Sequence, residues 1–358
     1  MDYMQQALSL AQKAMGSVSP NPAVGAVIVS NGRVVGEGYT QPPGSDHAEI
    51  VALKQAGEAA RGGTMYVTLE PCGHQGRTPP CTEFIISSGI AEVHMAMLDP
   101  NPLVAGKGMR RLESTGIRTS VGEREDEAGE VVEAYVKFIT TGIPFIVAKF
   151  AMSLDGKIAT RKFDSKWISN EWSRNYVHQL RRESDAIMVG VNTVLKDDPQ
   201  LTARNGEGIR QPLRVIVDSR GQTPVSAKVF ESPGKALIAT TRMIDLAQTG
   251  RYANAGIETA LLPAKNERVD IDELLKYLGR KEITSVLVEG GGTLLGTLFD
   301  RRLVDKVFAF IAPVIIGGQE AVSPVAGEGV ESVALATRLS HIRVERFGDD
   351  IMVSGYIK

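Results

Sequence analysis

The chain has 358 residues, of which 43% are apolar and 23% charged; that is enough for two ordinary domains and excludes a disordered, collagenous or low-complexity polymer. Forty Lys and Arg against 42 Asp and Glu leave a net charge of −2, which is no electrostatic footprint for nucleic acid or an anionic membrane. Only Cys72 and Cys81 are present, the start MDYMQQALSL lacks a basic n-region, and no apolar run approaches the ~18 residues of a membrane span, so the expectation is a soluble protein of a reducing cytoplasm.

Residues 3–15 set Tyr3, Met4, Ala7, Leu8, Ala11, Ala14 and Met15 at helical spacing, predicting an amphipathic helix that stops near Gly16. AVGAVIVS (23–30) and RVVGEGYT (33–40) flank Asn31-Gly32 and read as a hairpin. The pattern then alternates: a helix from about 47, strand 65–70, a helix from about 79, strand 93–97, a helix from about 107. Strands and helices joined this closely imply an α/β layer on a largely parallel sheet. A charged helix over 124–140 ends at Thr141-Gly142-Ile143-Pro144, a helix stop that places the domain boundary there: 1–144 and 145–358. The second region holds strands PFIVAKFA, DAIMVG (185–190), LRVIVDS (213–219), KALIATT (235–241) and TSVLVEG (284–290), the last running into GGTLLGTLF, and closes with KVFAFIAPVII and IMVSGYI. Charge divides along the same line: residues 1–144 carry 11 basic and 16 acidic residues, the remainder 29 and 26. A mildly basic second domain suits a phosphorylated ligand.

His47-Ala48-Glu49 precedes a helix, Pro71-Cys72 follows 25 residues after the histidine, and Pro80-Cys81 lies nine beyond Cys72. Each residue alone is more often structural. Together, one imidazole and two thiolates form a tripod for Zn²⁺ with a fourth position open, the arrangement of a catalytic site. Glu49, two residues from His47 on a helix, turns away from the ligand face and suits a proton shuttle beside the metal. H-x-E followed by P-C and a second Cys is the zinc-deaminase signature. His74 as a fourth ligand would instead make the zinc structural. A nucleic-acid deaminase would need a basic, aromatic-lined surface, which the acidic first domain does not suggest.

The segments SPNPAVGAVIV, HAEIVAL, VTLEPCGHQGRTPPC and LDPNPLVAGKG resemble the deaminase half of the bifunctional riboflavin-biosynthesis deaminase/reductase (RibD/RibG) family. AKFAMSLDGKIAT, SKWIS, DAIMVGVNTVLKDDPQLTAR, LRVIVDS, VEGGGTLLGTL and IAPVIIGG resemble its reductase half, in the same order. The resemblance implies a cytidine-deaminase-like α/β/α sandwich followed by a dihydrofolate-reductase-like α/β domain. It also implies two activities. The first is zinc-dependent hydrolytic deamination of 2,5-diamino-6-ribosylamino-4(3H)-pyrimidinone 5′-phosphate to 5-amino-6-ribosylaminouracil 5′-phosphate. The second is NADPH-dependent reduction of the ribosyl group to ribityl.

By the same resemblance the zinc ligands fall on His47, Cys72 and Cys81, the catalytic proton shuttle on Glu49, and the deaminase substrate contacts on Asn21, His74, Arg77, Asp99 and Asn101. Turn chemistry in DPNP is the alternative reading of Asp99 and Asn101. Gly73 and Thr40 depart from the Ser and His of many relatives. In the second half, Glu289-Gly290-Gly291-Gly292-Thr293-Leu294-Leu295-Gly296 follows a strand and opens a helix, where small residues admit phosphate to backbone N–H groups. Leu295 stands where a Rossmann fingerprint needs its third glycine.

The resemblance puts NADPH contacts on Ala151, Trp167, Thr193, Asp197, Ser219, Gly291, Gly292, Thr293, Leu294, Leu295, Gly296 and Thr297. Substrate contacts fall on Ser165, Arg181, Leu201, Arg204 and Glu289, with the two arginines as a phosphate clamp; a solvated helix face beside Arg182 is the alternative reading of Arg181. Asp155 reads either as a turn residue or as a polar group near the hydride site. Lys149 and Glu289 are the candidate proton donors, and Arg220 and Arg242 both stand near strand ends where a 2′-phosphate could be read. The expected partners are small phosphorylated molecules and further copies of the chain, not nucleic acid or membrane.

Overall fold

The computed structural model describes residues 2–73, 80–102, 104–204 and 210–358, and the chain forms two compact units, Met1–Ile143 and Pro144–Lys358.

In the first unit, α1 (Tyr3–Ala14) leads to the hairpin β1 (Gly25–Ser30) and β2 (Arg33–Tyr39). Then come α2 (Ala48–Ala56), β3 (Thr64–Val67), α3 (Cys81–Ser88), β4 (Glu92–Met95), α4 (Lys107–Glu113), β5 (Arg118–Val121) and α5 (Glu125–Thr141). The sheet order is β2-β1-β3-β4-β5, with β1 antiparallel to both neighbours and β3, β4 and β5 parallel. Alternation along β1 builds the two sides of the layer. Ala26 and Ile28 pack with Ala48 and Ala52 of α2, Ile85 of α3 and Leu112 of α4. Val27 and Val29 pack with Met4, Ala7 and Leu8 of α1 and Ala128 of α5. The result is an α/β/α sandwich. Glycine permits a close approach: a Cβ at Gly36 or Gly38 of β2 would fall 2.2 Å from the carbonyl oxygen of Ala52 or Ala48, so α2 lies directly on the strand.

The second unit opens with β6 (Phe145–Ser153), α6 (Glu171–Glu183), β7 (Ala186–Gly190), α7 (Val191–Asp197), β8 (Leu213–Val217) and α8 (Lys228–Glu231). It continues through β9 (Ala236–Thr240), α9 (Leu246–Asn254), β10 (Glu258–Leu261), the small hairpin β11 (Ala264–Lys265) and β12 (Arg268–Val269), and α10 (Ile271–Arg280). β13 (Ser285–Val288), α11 (Gly292–Asp300), β14 (Lys306–Ala312), β15 (Leu339–Phe347) and β16 (Asp350–Ile357) complete it. Its nine-stranded sheet runs β10-β9-β8-β7-β13-β6-β14-β16-β15, parallel from β10 to β14, with β16 and β15 added antiparallel. The central β13 is buried along its whole length, as a parallel strand covered on both faces must be. No helix among the described residues is long and apolar enough to cross a membrane.

Several elements depart from the sequence reading. The strand read over 65–70 ends at Val67, and the helix read from about 79 starts at Cys81. The pattern reading gives bounds for neither α6 nor α10. α6 is largely polar, but Ser173, Val177 and Leu180 stand at helical spacing, and Tyr176, Val177 and Leu180 pack with Phe308, Phe310 and Met352, so its apolar stripe is short rather than absent. α10 carries one as well, through Ile271, Leu274, Leu275 and Leu278 behind an Asp270 cap that accepts from the Asp272 amide.

Candidate active sites

In the first unit, two helix starts and one extended segment converge. His47 is the N-cap residue of α2, Cys81 opens α3, and Cys72 lies on the segment following β3. His47 Nδ1 is 3.2 Å from Cys81 Sγ and 3.7 Å from Cys72 Sγ, and the Cys81 amide donates to Cys72 Sγ at 3.3 Å. The three donor atoms lie within 4.8 Å of one another. A hydrogen bond from Cys81 and the neighbouring His47 carry the Cys72 thiol down to about 4 against the effect of burial. Cys81 moves the opposite way, raised by its bond to Cys72 and by burial. A dication between the two sulfurs would stabilise both as thiolates. One imidazole and two sulfurs so close together are the donor set of Zn²⁺, so the residues fit that ion.

Glu49 is buried and pushed up to about 7, first by burial and then by the charge on Cys72. A carboxyl poised there can both accept and return a proton near neutral pH.

Asp99 is buried and Asn101 half-buried, in the turn after β4. Asp99 Oδ1 accepts from the Asn101 amide at 2.9 Å, so turn chemistry does operate here. Two residues absent from the sequence reading hold this turn. Glu70 accepts backbone N–H bonds from Asp99 at 3.2 Å, Gly106 at 2.8 Å and Met109 at 3.1 Å. Tyr135 of α5 donates to Asp99 at 3.1 Å, and burial raises its hydroxyl first, with the Asp99 charge second. Asn21 is half-buried in the turn before β1. His74 and Arg77 lie outside the described residues. The two departures have local reasons. Thr40 is buried, and its Oγ1 accepts from the Val24 amide at 3.1 Å. A Cβ at Gly73 would press within 3.3 Å of Gly108 Cα.

In the second unit, a cleft of roughly 1950 Å³ crosses the sheet's carboxyl edge, where open α/β sheets bind ligands. Ala151, Ser165, Trp167, Arg181, Thr193, Asp197, Leu201, Arg204, Ser219 and Glu289 all line it, as do Gly291–Leu295 and Thr297. Gly296 does not. A Cβ there would meet the Ala326 carbonyl oxygen at 2.0 Å, so this glycine serves helix packing against the chain at Ala326. Gly290 and Gly291 have φ of +149° and +83°, and a turn of that shape before α11 leaves room for a pyrophosphate against backbone N–H groups. The cleft therefore fits a dinucleotide.

The arginine clamp needs correction. Arg181 Nε and Nη2 donate to Glu289 at 2.5 and 2.8 Å, and Nη1 to the Thr202 carbonyl at 3.1 Å. Its fork is therefore spent on a buried carboxylate, while Arg204 remains exposed. Burial alone would raise Glu289, but the charge of Arg181, its hydrogen bonds and Lys149 carry it below the usual carboxylate range. Burial pulls Lys149 down, opposed by Glu289 and aided by Arg181. Asp155 is not among the cleft-lining residues. It accepts from Ser153 Oγ at 2.6 Å, the Ile316 amide at 3.0 Å and the Gly317 amide at 2.7 Å, and so ties two loops together.

Comparison with known proteins matches residues 144–353 to the RibD C-terminal domain and residues 1–97 to the cytidine and deoxycytidylate deaminase zinc-binding region. The riboflavin biosynthesis protein RibD of Aquifex aeolicus (strain VF5) is 44% identical over 352 residues, covering 98% of this chain and 97% of the relative. A solved Acinetobacter baumannii RibD superposes with a TM-score of 0.89 at 36% identity, covering 99% of this chain and 98% of that one. A diaminohydroxyphosphoribosylaminopyrimidine deaminase/5-amino-6-(5-phosphoribosylamino)uracil reductase from Thermotoga maritima gives 0.87 at 35% identity, with 99% and 98% covered.

Proposed function

The chain belongs to the RibD family, and from that premise we propose how its residues divide two successive reactions of riboflavin biosynthesis. The protein is a bifunctional enzyme: a zinc-dependent deaminase and an NADPH-dependent reductase. The deaminase acts on 2,5-diamino-6-ribosylamino-4(3H)-pyrimidinone 5′-phosphate, and the reductase then converts the ribosyl group of the product to ribityl. The convergence of His47, Cys72 and Cys81 within 4.8 Å, against buried Glu49, carries the first assignment.

Deamination belongs to residues 1–144. His47, Cys72 and Cys81 hold Zn²⁺, which when bound supplies Lewis acidity that makes water a nucleophile at neutral pH. Glu49 takes the proton from the attacking water and returns it to the departing amino nitrogen. Asp99, Asn101 and Asn21 read the donor and acceptor edge of the pyrimidinone, and the resemblance adds substrate contacts at His74 and Arg77, which lie outside the described residues. Glu70 and Tyr135 keep the Asp99 turn in position.

Reduction belongs to residues 145–358. NADPH supplies a hydride when bound there. The turn at Gly291–Gly292 and the start of α11 receive its pyrophosphate, and Ala151, Trp167, Thr193, Asp197 and Ser219 flank it. Glu289 stays ionised against Arg181, so of the two candidate donors Lys149 delivers the proton that accompanies the hydride. Ser165, Leu201 and Arg204 hold the sugar phosphate.

The working form is a homo-oligomer in the cytoplasm that acts on small molecules. The acidic balance of the first unit speaks against a nucleic-acid substrate. A coupled assay following ammonia and NADPH together tests the assignment. Glu49→Gln should lower ammonia release by about 10²-fold or more and leave reduction of supplied deaminated substrate intact. Near-full deamination by that variant would refute the role of Glu49.

A further inference from the structure

The cleft of the second unit has two chemically different ends. It runs over the carboxyl ends of β6, β13, β7 and β8, which are successive neighbours in the sheet. At about 4.8 Å per strand these span roughly 14 Å, a distance suited to an extended dinucleotide whose pyrophosphate rests midway, at Gly290–Gly292. The buried Arg181–Glu289 pair beside Lys149 of β6 marks the substrate end, so the nicotinamide belongs there and the adenosine belongs over β8.

At that far end the chain has assembled a basic rim from two segments. Ser219, just past β8, accepts from the Val269 amide at 2.9 Å and so fastens the β11–β12 hairpin to the strand end. Arg220 reaches the same hairpin through Glu267, at 2.8 Å. Lys265 and Arg268 also line the cleft, whereas Arg242, past β9, is not among its lining residues. The side chains of Arg220 and Glu267 are 59% and 75% exposed. A pair in so much water is weakly held, and a phosphate dianion offers a guanidinium a stronger bidentate partner than one exposed carboxylate does.

We propose that Arg220 is the residue that reads the 2′-phosphate of NADPH, releasing Glu267 to do so, with Lys265 and Arg268 as supporting cations. The inference rests on the reductase reading above and deepens it. Glu267 then acts as a placeholder: it pairs with Arg220 and competes with the phosphate for it.

Equilibrium binding tests this without turnover, because Trp167 lines the cleft and its fluorescence should be quenched by a bound dihydronicotinamide. Dissociation constants for NADPH and NADH are measured on the full chain at several salt concentrations. Arg220→Ala should weaken NADPH by about 10- to 100-fold, the loss expected for a charge-assisted pair, while changing NADH by less than about threefold. Glu267→Gln should move the other way, tightening NADPH several-fold and NADH much less. The preference should also shrink as salt rises. If Arg220→Ala weakens both dinucleotides equally, or neither, the assignment of the 2′-phosphate to Arg220 is overturned. Binding of neither dinucleotide by the unsubstituted protein would overturn the reductase reading itself, and this inference with it.

Discussion

Replacing Glu289 by Leu removes one half of an ion pair whose side chains are only 15% (Arg181) and 5% (Glu289) exposed and meet through two hydrogen bonds. Breaking a buried pair from one side costs about 3–5 kcal/mol, because the surviving charge stays desolvated. Arg181 keeps its bond to the Thr202 carbonyl at 3.1 Å and a little solvent contact, so the cost should sit at the lower end, about 3 kcal/mol. In a unit the size of residues 144–358, where each kcal/mol moves the melting temperature by about 2–4 °C, the midpoint should fall by about 6–12 °C. Both tryptophans, Trp167 and Trp172, belong to this unit, so tryptophan fluorescence, excited at wavelengths tyrosine does not absorb, follows its urea or thermal unfolding without the first. The control is the double variant Arg181→Met, Glu289→Leu. It removes both charges of the pair, leaving Lys149, whose charged form burial already disfavours, and should recover most of the single-variant loss, since a buried pair contributes little net stability over apolar replacements. A single variant as stable as the parent, or a double variant showing the sum of both single losses, would refute the idea that desolvated charge dominates here.

Three further outcomes are expected. Glu70→Ala strands three backbone donors and should cost about 2–4 kcal/mol by denaturant unfolding while raising the deaminase KM more than it lowers kcat, with Glu70→Gln falling between. Treatment with a zinc chelator should abolish ammonia release and leave NADPH binding unchanged, and added Zn²⁺ should restore the lost activity; NADPH binding that fell in parallel would contradict separate sites. Asp155 is held at about 2 by its bonds to Ser153 and the Ile316 and Gly317 amides, below the ordinary 3.8. Its contribution to stability is therefore complete above about pH 4 and lost as pH falls through about 2, so Asp155→Asn should flatten the acid limb of the unfolding curve in that window.

The metal centre is legible in the sequence because its chemistry is written in short local strings. His47 and Glu49 share one helix start, and each cysteine follows a proline at an interpretable spacing. The alternation of strands and helices likewise gives the α/β class, since it depends only on period. β15 escapes for a physical reason, being exposed along most of its length, whereas α6 and α10 both carry buried residues at helical spacing that a fuller count of the period finds. Side-chain pairing across the fold leaves still less trace. Nothing near Arg181 announces that its guanidinium faces Glu289, 108 residues away, which is why the phosphate clamp read from the sequence meets an occupied fork. The roles of Glu70 and Tyr135 depend on contacts 29 to 39 residues distant and are visible only once the chain has folded.

The Glu70 carboxylate has a consequence for how this protein can vary. All three of its partners are main-chain N–H groups, which any residue except proline supplies. The bonds therefore ask nothing of the side chains at 99, 106 and 109 and an acceptor of residue 70 alone. So far as these bonds are concerned, positions 99 and 109 tolerate any residue but proline, position 106 is kept glycine by its φ of +75°, and the demand for an acceptor rests on a single glutamate.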